Sequence, residues 1–323
     1  MTKTINDIGT FSNSRLGVLK TCYRKYFFSY IKEWQTEGFS AALAFGGAFH
    51  DALECFFSVM QKTKILTEAY DLMIAQLPII WEANNLPIDP FEQEALGMRS
   101  FNNLNAILTY WYEQNITWLH GIEVIEPEKE FLVEFQNLNF LIGKIDLVYK
   151  SLVDNKIYFL EHKTSSSYSK DYGFQYAALN KWEDDSQTHQ YAYAGRMLYG
   201  KRFGGVVMNL NLVHKKVRYN VRRPIIFIDE SLEDWYNATA FYIDQVTNEN
   251  SPVSKADYPR NHSACWDLYG QCSYLKLCQT ALSISDYPDD PPEGYAMKDS
   301  TKGLFISDEM KMDILKSTTE EAL

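Results

Sequence analysis

The sequence predicts one α/β domain with a helical insertion, followed by an acidic tail. Three observations predict it. Helical spacing dominates residues 12–117, the period changes to that of strands over 123–163, and helices and strands then alternate as far as residue 248. The 323 residues can bury a sizeable core, and a composition 46% hydrophobic and 15% aromatic belongs to a globular chain.

Residues 12–33 open the chain as a helix, with Ser12 or Ser14 as N-cap and Leu16, Leu19, Tyr23, Tyr26, Phe27 and Tyr30 at helical spacing. Residues 40–60 form a second helix. Residues 65–117 are helical in two or three pieces, broken around NNLPIDP (84–90), so that about 60–120 reads as an insertion. EVIEPEKEFLVEF (123–135), NFLIGKIDLVYKS (139–151) and KIYFLEHK (156–163) are three successive strands. A helix covers 184–199, a strand pair turning near Lys215 covers 204–213 and 217–228, and a helix covers 230–248. Residues 261–280 are short, aromatic and rich in cysteine. DYPDDPPEG (286–294) marks a linker, which divides the chain into 1–282 and a tail, 283–323.

No run reaches the ~20 apolar residues of a membrane helix, and the polar N-terminus has no signal-peptide core. An intracellular, cytoplasmic protein is expected, without a disulfide framework. The formal charge of −11 argues only weakly against a phosphate-binding surface. The tail, with ten acidic and four basic residues, carries −6 of it, whereas VHKKVRYNVRRP (213–224) is basic.

The strand Ile157–Leu160 is apolar at four successive positions and then ends in Glu161, His162 and Lys163. Glu161 and Lys163 share one face of a strand and His162 takes the other. Ionised groups at the end of a covered strand need partners or a metal, because burying them alone costs several kcal/mol. A hairpin with the preceding strand would set Asp146 beside Glu161, and a divalent cation relieves the repulsion of two carboxylates. A plain Glu–Lys pair at a frayed strand end is the alternative.

G-x-x-D at Gly143–Asp146, then an apolar strand and E-x-K at Glu161–Lys163, resembles the PD-(D/E)XK nuclease superfamily. The resemblance implies a restriction-endonuclease-like core, a central mixed sheet flanked by helices, with an N-terminal helical region. It implies Mg²⁺ or Mn²⁺ on Asp146 and Glu161, with Lys163 beside the attacking water and its pKa lowered by the cation. GGAFHDALE (46–54) places His50 and Glu54 four apart on a helix and is similar to the RecB-like branch, in which such a histidine binds the metal. Gln187 and Tyr191 in DSQTHQYAYAG match that branch's Q-x-x-x-Y motif near the active site. The implied metal ligands are His50, Asp146, Glu161 and the backbone carbonyl of His162.

Cys265, Cys272 and Cys278 (C-x6-C-x5-C), with Cys22 far upstream in KTCYRKYFFSYI, resemble the cysteines of RecB-like nucleases that hold a [4Fe–4S] cluster. Those include AddB-like and CRISPR-adaptation nucleases, in which the first gap is shorter. Zinc, and free buried thiols, are the other readings. Cys55 reads as a small core residue.

DNA, as single strands or duplex ends, is the implied partner. Arg24, Lys25, Lys216, Arg218 and Arg222 are candidate phosphate contacts, the last three on one face if the segment is a strand, and a solvated basic face explains them equally well. Tyr168, Tyr172, Tyr176 and Trp182 could stack on bases or pack in the core. The tail could dock a protein, mimic DNA or only solubilise. The expected activity is exonucleolytic processing of DNA ends in repair, recombination or phage DNA metabolism. The rivals are an endonuclease and a non-catalytic DNA-binding scaffold.

Overall fold

The computed structural model describes residues 9–136, 139–248, 250–255, 257–267, 270–280 and 283–298; most of the acidic tail lies outside them. In chain order the principal elements are β1 (Gly9–Phe11), α1 (Asn13–Thr21), α2 (Ala41–Thr63), α3 (Leu66–Ala83), α4 (Phe101–His120), β2 (Ile122–Gln136), β3 (Asn139–Ser151), β4 (Ile157–Ser165), α5 (Ser186–Tyr199), β5 (Phe203–Leu212), β6 (Asn220–Ile225) and α6 (Asp229–Thr247). The main sheet is mixed. β1 runs parallel to β3, β3 is antiparallel to β4, β4 is parallel to β5, β5 is antiparallel to β6, and β2 also pairs with β3. Helices flank it, as expected for the restriction-endonuclease-like class. The parallel pair β4–β5 requires a crossover, and α5 supplies it.

The chain forms two compact units: Met1–Gly38, Leu132–Gly143 and Asp229–Leu323 in one, Phe39–Phe131 and Lys144–Ile228 in the other. In the second unit α2, α3 and α4 pack together over one face of the sheet, around Phe49, Phe56, Phe57, Trp111, Leu147 and Leu160. The other face meets α5, where Phe159 touches Tyr191, Tyr199 and Phe203. The alternation Phe159 to one layer and Leu160 to the other is why this strand reads as continuously apolar.

In the first unit the opening helix is shorter than its periodicity suggests. Ser12 caps α1, accepting from the Arg15 amide. The helix then stops at Cys22, whose backbone is extended (φ −164°, ψ 121°), and resumes as a short turn, Tyr23–Tyr26, and a wider one, Phe27–Ile31. The second strand of the late pair is shorter as well. Residues 213–219 leave the sheet because His214 Nδ1 accepts from the amides of Lys216 and Val217 (3.2 and 3.0 Å), a local turn that competes with the ladder.

Phe159 is fully buried between α5 and the sheet. Phe159→Ala is expected to cost about 3–5 kcal/mol, read from urea unfolding with an unchanged slope.

Candidate active site

The β3–β4 ladder runs from Lys150–Ile157 to Leu147–Leu160 and stops there. One step further, Asp146 accepts the His162 backbone N–H with Oδ2 (2.6 Å). A side chain has replaced the main-chain partner at the point where the strand becomes charged. The same carboxylate receives His50, whose Nδ1 lies 3.3 Å from Oδ1. His50 is carried by α2, where Gly47 faces the Asn84 side chain: a Cβ there would meet Asn84 Oδ1 at 2.3 Å.

Glu161 and Lys163 lie on the α5 side, as their parity requires. Glu161 Oε1 accepts from Lys163 Nζ (2.6 Å) and Gln187 Nε2 (2.8 Å). Gln187 also reaches the Tyr191 hydroxyl (3.1 Å), which itself donates to the Lys144 carbonyl (2.7 Å). The two residues of the Q-x-x-x-Y pattern thus brace Glu161 and the strand that carries Asp146. Among the described residues Glu161 Oε2 is buried without a hydrogen-bond partner, an oxygen of the kind a cation satisfies.

One carboxylate was not anticipated from sequence. Glu128 of β2 contributes an oxygen that lies within 4.8 Å of the ligand atoms of His50 and Asp146, and the three form a group able to hold a metal ion. Its backbone is left-handed (φ 49°), directly after Pro127, in mid-strand. Pro127-Glu128 inside a strand pattern is the local signal, because proline in a strand marks an irregularity. Lys144 neutralises Glu128 at 2.5 Å.

The electrostatics follow from burial and proximity. Burial opposes ionisation of Asp146, but His50 and then His162 outweigh it and hold the carboxyl at about 2. Burial also opposes a charged His50, yet Asp146 raises it to about 9. Glu161 is pushed up by burial and by Asp146. Glu128 is raised by burial to about 7, against the pull of Lys144. Burial lowers Lys163, but Glu161, Asp146 and Asp185 together outweigh it and leave the ammonium above its ordinary value. His162 does not aim its ring at the carboxylates. The ring is buried against Phe49, Phe57 and Trp111, and burial drops it to about 3.

Other sequence candidates lie elsewhere. Arg24 is buried and its guanidinium donates to the Tyr258 and Asp257 carbonyls, both at 2.9 Å, so it ties the first unit internally. Lys25 beside it is half-buried. Lys216 is exposed in the 213–219 loop, Arg218 donates to Asn103 Oδ1 (2.7 Å), and only Arg222 is on β6, where it donates to Asn115 Oδ1 (2.6 Å). The expectation that the three share a strand face is therefore corrected: the His214 turn takes two of them off the strand. Trp182 is buried, with the Lys163 ammonium 5.6 Å from its ring centre, whereas Tyr172 and Tyr176 are exposed.

Cys22, Cys265, Cys272 and Cys278 all belong to the first unit. The Asn261 amide donates to Cys22 Sγ (3.3 Å), the Cys265 thiol reaches the Asn261 carbonyl (3.8 Å), and the Cys272 amide donates to the Cys265 carbonyl (2.9 Å). Burial raises Cys278 to about 11, with Cys22 and Cys272 adding to it. Among the described residues, no three of these sulfurs come within 4.8 Å of one another, so a compact thiol cluster is not shown. Cys55 is half-buried on α2.

A folded pKa above the ordinary value means that His50 stabilises the fold while protonated. In chelator-treated protein that contribution is complete below pH 6.5 and is lost as pH rises through about 9. The melting temperature should fall across this window, and His50→Ala should flatten it. A cation must displace the same proton, so Mn²⁺ should bind more tightly toward the upper end, as read by calorimetry.

No helix among the described residues is long and apolar enough to cross a membrane. No curated protein matches the chain. The crystal structure of SSO0001 is 15% identical to it, covering 75% of this chain and 88% of its own, with a TM-score of 0.25, a likeness too slight to carry any argument. The family model of the PD-(D/E)XK nuclease superfamily matches residues 10–279, which take in Asp146, Glu161 and Lys163. Over most of its length, then, the chain belongs to the PD-(D/E)XK nuclease superfamily.

Proposed function

We propose that the protein is a metal-dependent deoxyribonuclease of the RecB-like branch that degrades DNA from its ends. The observation that carries this reading is the convergence of His50, Glu128 and Asp146 within 4.8 Å, beside the Glu161–Lys163 pair. Family membership supports phosphodiester cleavage with Mg²⁺ or Mn²⁺. His50, Glu128, Asp146, the free oxygen of Glu161 and the His162 carbonyl are oxygen and imidazole donors that suit a hard divalent ion. A bound cation would supply an activated water and charge neutralisation at the phosphate.

The protein's own groups do the rest. Lys163 spends one hydrogen on Glu161 and keeps others for a water and a phosphate oxygen. The water oxygen joins phosphorus as the bond to the leaving sugar oxygen breaks; the water's proton passes to solvent, and the leaving oxygen takes a proton from solvent water to become the free hydroxyl. Gln187 and Tyr191 hold Glu161 in register. Exposed Lys216 and half-buried Lys25 are candidate phosphate contacts, and exposed Tyr172 and Tyr176 are candidate stacking surfaces for unpaired bases. A [4Fe–4S] cluster on Cys22, Cys265, Cys272 and Cys278 is proposed for the first unit, supported by the Asn261 contacts that join Cys22 to Cys265. Residues 1–282 would be the nuclease domain of a cytoplasmic enzyme, and the acidic tail a protein-docking extension.

End-labelled linear DNA incubated with Mg²⁺ or Mn²⁺ should shorten progressively, whereas a closed circle should survive. Defined cuts in the circle would make the enzyme an endonuclease instead. Lys163→Ala and Glu161→Ala should each reduce the rate by about 100-fold or more, with DNA binding retained in Glu161→Ala. Complete inactivity of wild type with intact DNA binding would leave a scaffold. Glu128→Ala should raise the Mn²⁺ concentration for half-maximal rate about tenfold or more. Anaerobically purified protein should be brown and contain iron. Colourless protein containing zinc would transfer the four thiols to zinc.

A further inference from the structure

The buried side of His162 is held by a file of amides that ends on Arg222. Asn209 is the partner of His162 across the parallel strands β4 and β5, and its side-chain nitrogen lies 2.6 Å from His162 Nδ1. Asn209 Oδ1 faces Asn220 Nδ2 (2.8 Å), whose two hydrogens are shared with Asn211 Oδ1 (2.9 Å) and the Leu210 carbonyl (3.1 Å), all three of them acceptors. Asn220 Oδ1 accepts from Asn115 Nδ2 (2.9 Å), and Asn115 Oδ1 accepts from Arg222 (2.6 Å). The guanidinium lies over the Trp118 ring, 4.3 Å from its centre.

The chemistry of the end groups fixes the sense of every bond in this file. A guanidinium only donates, so Asn115 must turn its oxygen to Arg222 and its NH₂ inward. The Trp111 carbonyl, 2.6 Å from that NH₂, demands the same orientation. A backbone carbonyl only accepts, so Leu210 independently orients Asn220. Asn209 then accepts at Oδ1 and presents its NH₂ to His162. Nδ1 must carry a lone pair, and the hydrogen of the neutral ring sits on Nε2. Among the described residues Nε2 is buried without a hydrogen-bond partner, and the ring stacks on Phe57 at 5.9 Å and 17°. The tautomer is selected on the amide side.

We propose that Asn115, Asn220 and Asn209 are positioning residues for the catalytic strand, with Arg222 as the outer donor of their file. They form a one-way file of hydrogen bonds that locks His162 as its Nε2–H tautomer and so fixes the peptide whose N–H grips Asp146. The ring and the peptide belong to one residue, so a ring free to turn loosens the carboxylate bound to its own backbone. The kinetic consequence rests on the nuclease reading above; the tautomer does not.

The experiment is nitrogen-15 NMR of the imidazole of His162 in the full chain without substrate, with DNA degradation measured in parallel. Wild type should show a hydrogen on Nε2 only. Asn209→Leu, which removes the NH₂ from Nδ1, should populate both tautomers and lower kcat about 10- to 100-fold with KM unchanged, whereas Arg222→Met should keep the wild-type tautomer, because the Trp111 and Leu210 carbonyls still orient Asn115 and Asn220. Asn209→Asp, which presents an acceptor, should place the hydrogen on Nδ1, and it tests the same point if Asn209→Leu fails to fold. Wild type with the hydrogen on Nδ1 would overturn the proposal. So would a folded Asn209→Leu with an unchanged spectrum, or one that raises KM and leaves kcat alone. An Nε2–H tautomer in wild type that lacks nuclease activity would uphold the lock while sinking the nuclease reading.

Discussion

The hydrogen bond from the His162 backbone to the Asp146 carboxylate is the constraint on which the site depends. It closes the ladder between β3 and β4 at a chosen residue, and it spends one carboxylate oxygen on the main chain so that the other faces His50. A carboxylate anchored on a peptide N–H does not drift with side-chain rotation. It also stays ionised despite burial, because the amide and the imidazole both favour the charged form. Glu161, one residue from the same peptide, is thereby set beside Asp146.

The two carboxylates then differ by environment. Asp146 is held low by His50, whereas Glu161 is pushed upward by burial and by Asp146 itself. Two buried acids cannot both stay ionised at close range without a positive partner. Lys163 covers one oxygen of Glu161, and the other is left for a ligand. Glu128 adds a third carboxylate whose burial favours its neutral form up to about pH 7. The arrangement is costly as a fold element and is consistent as a cation site, since one divalent charge would offset the repulsion of the three carboxylates and meet the free oxygen of Glu161.

Behind the site, a core of amides takes the place of aliphatic packing. Asn209, Asn211 and Asn115 are fully buried, yet each has hydrogen-bond partners, so the desolvation cost is met by direct bonds. An apolar core would have been simpler to stabilise. Amides bring direction, because each has a donor end and an acceptor end, and direction is what a ring with two different nitrogens needs.

The sequence by itself determined the elements and the charged end of the strand. The apolar run Ile157–Leu160 with Glu161 and Lys163 two apart, and Gly143–Asp146 just before it, placed strands, faces and carboxylates correctly, because side-chain parity is a property of any strand. His50, Gln187 and Tyr191 were legible only as motifs, since a histidine or glutamine on a helix has no unique partner until the helix is docked. Glu128 was hidden among the many acids of EVIEPEKEF, and only the left-handed turn after Pro127 brings it to Asp146. In the basic run 215–223 strand parity holds only from Asn220 onward, and half-buried Arg222 donates to Asn115 and lies over Trp118. Spacing along a chain decides which residues share a face, but what they meet across that face is decided by tertiary contacts between segments about a hundred residues apart, to which local periodicity is blind.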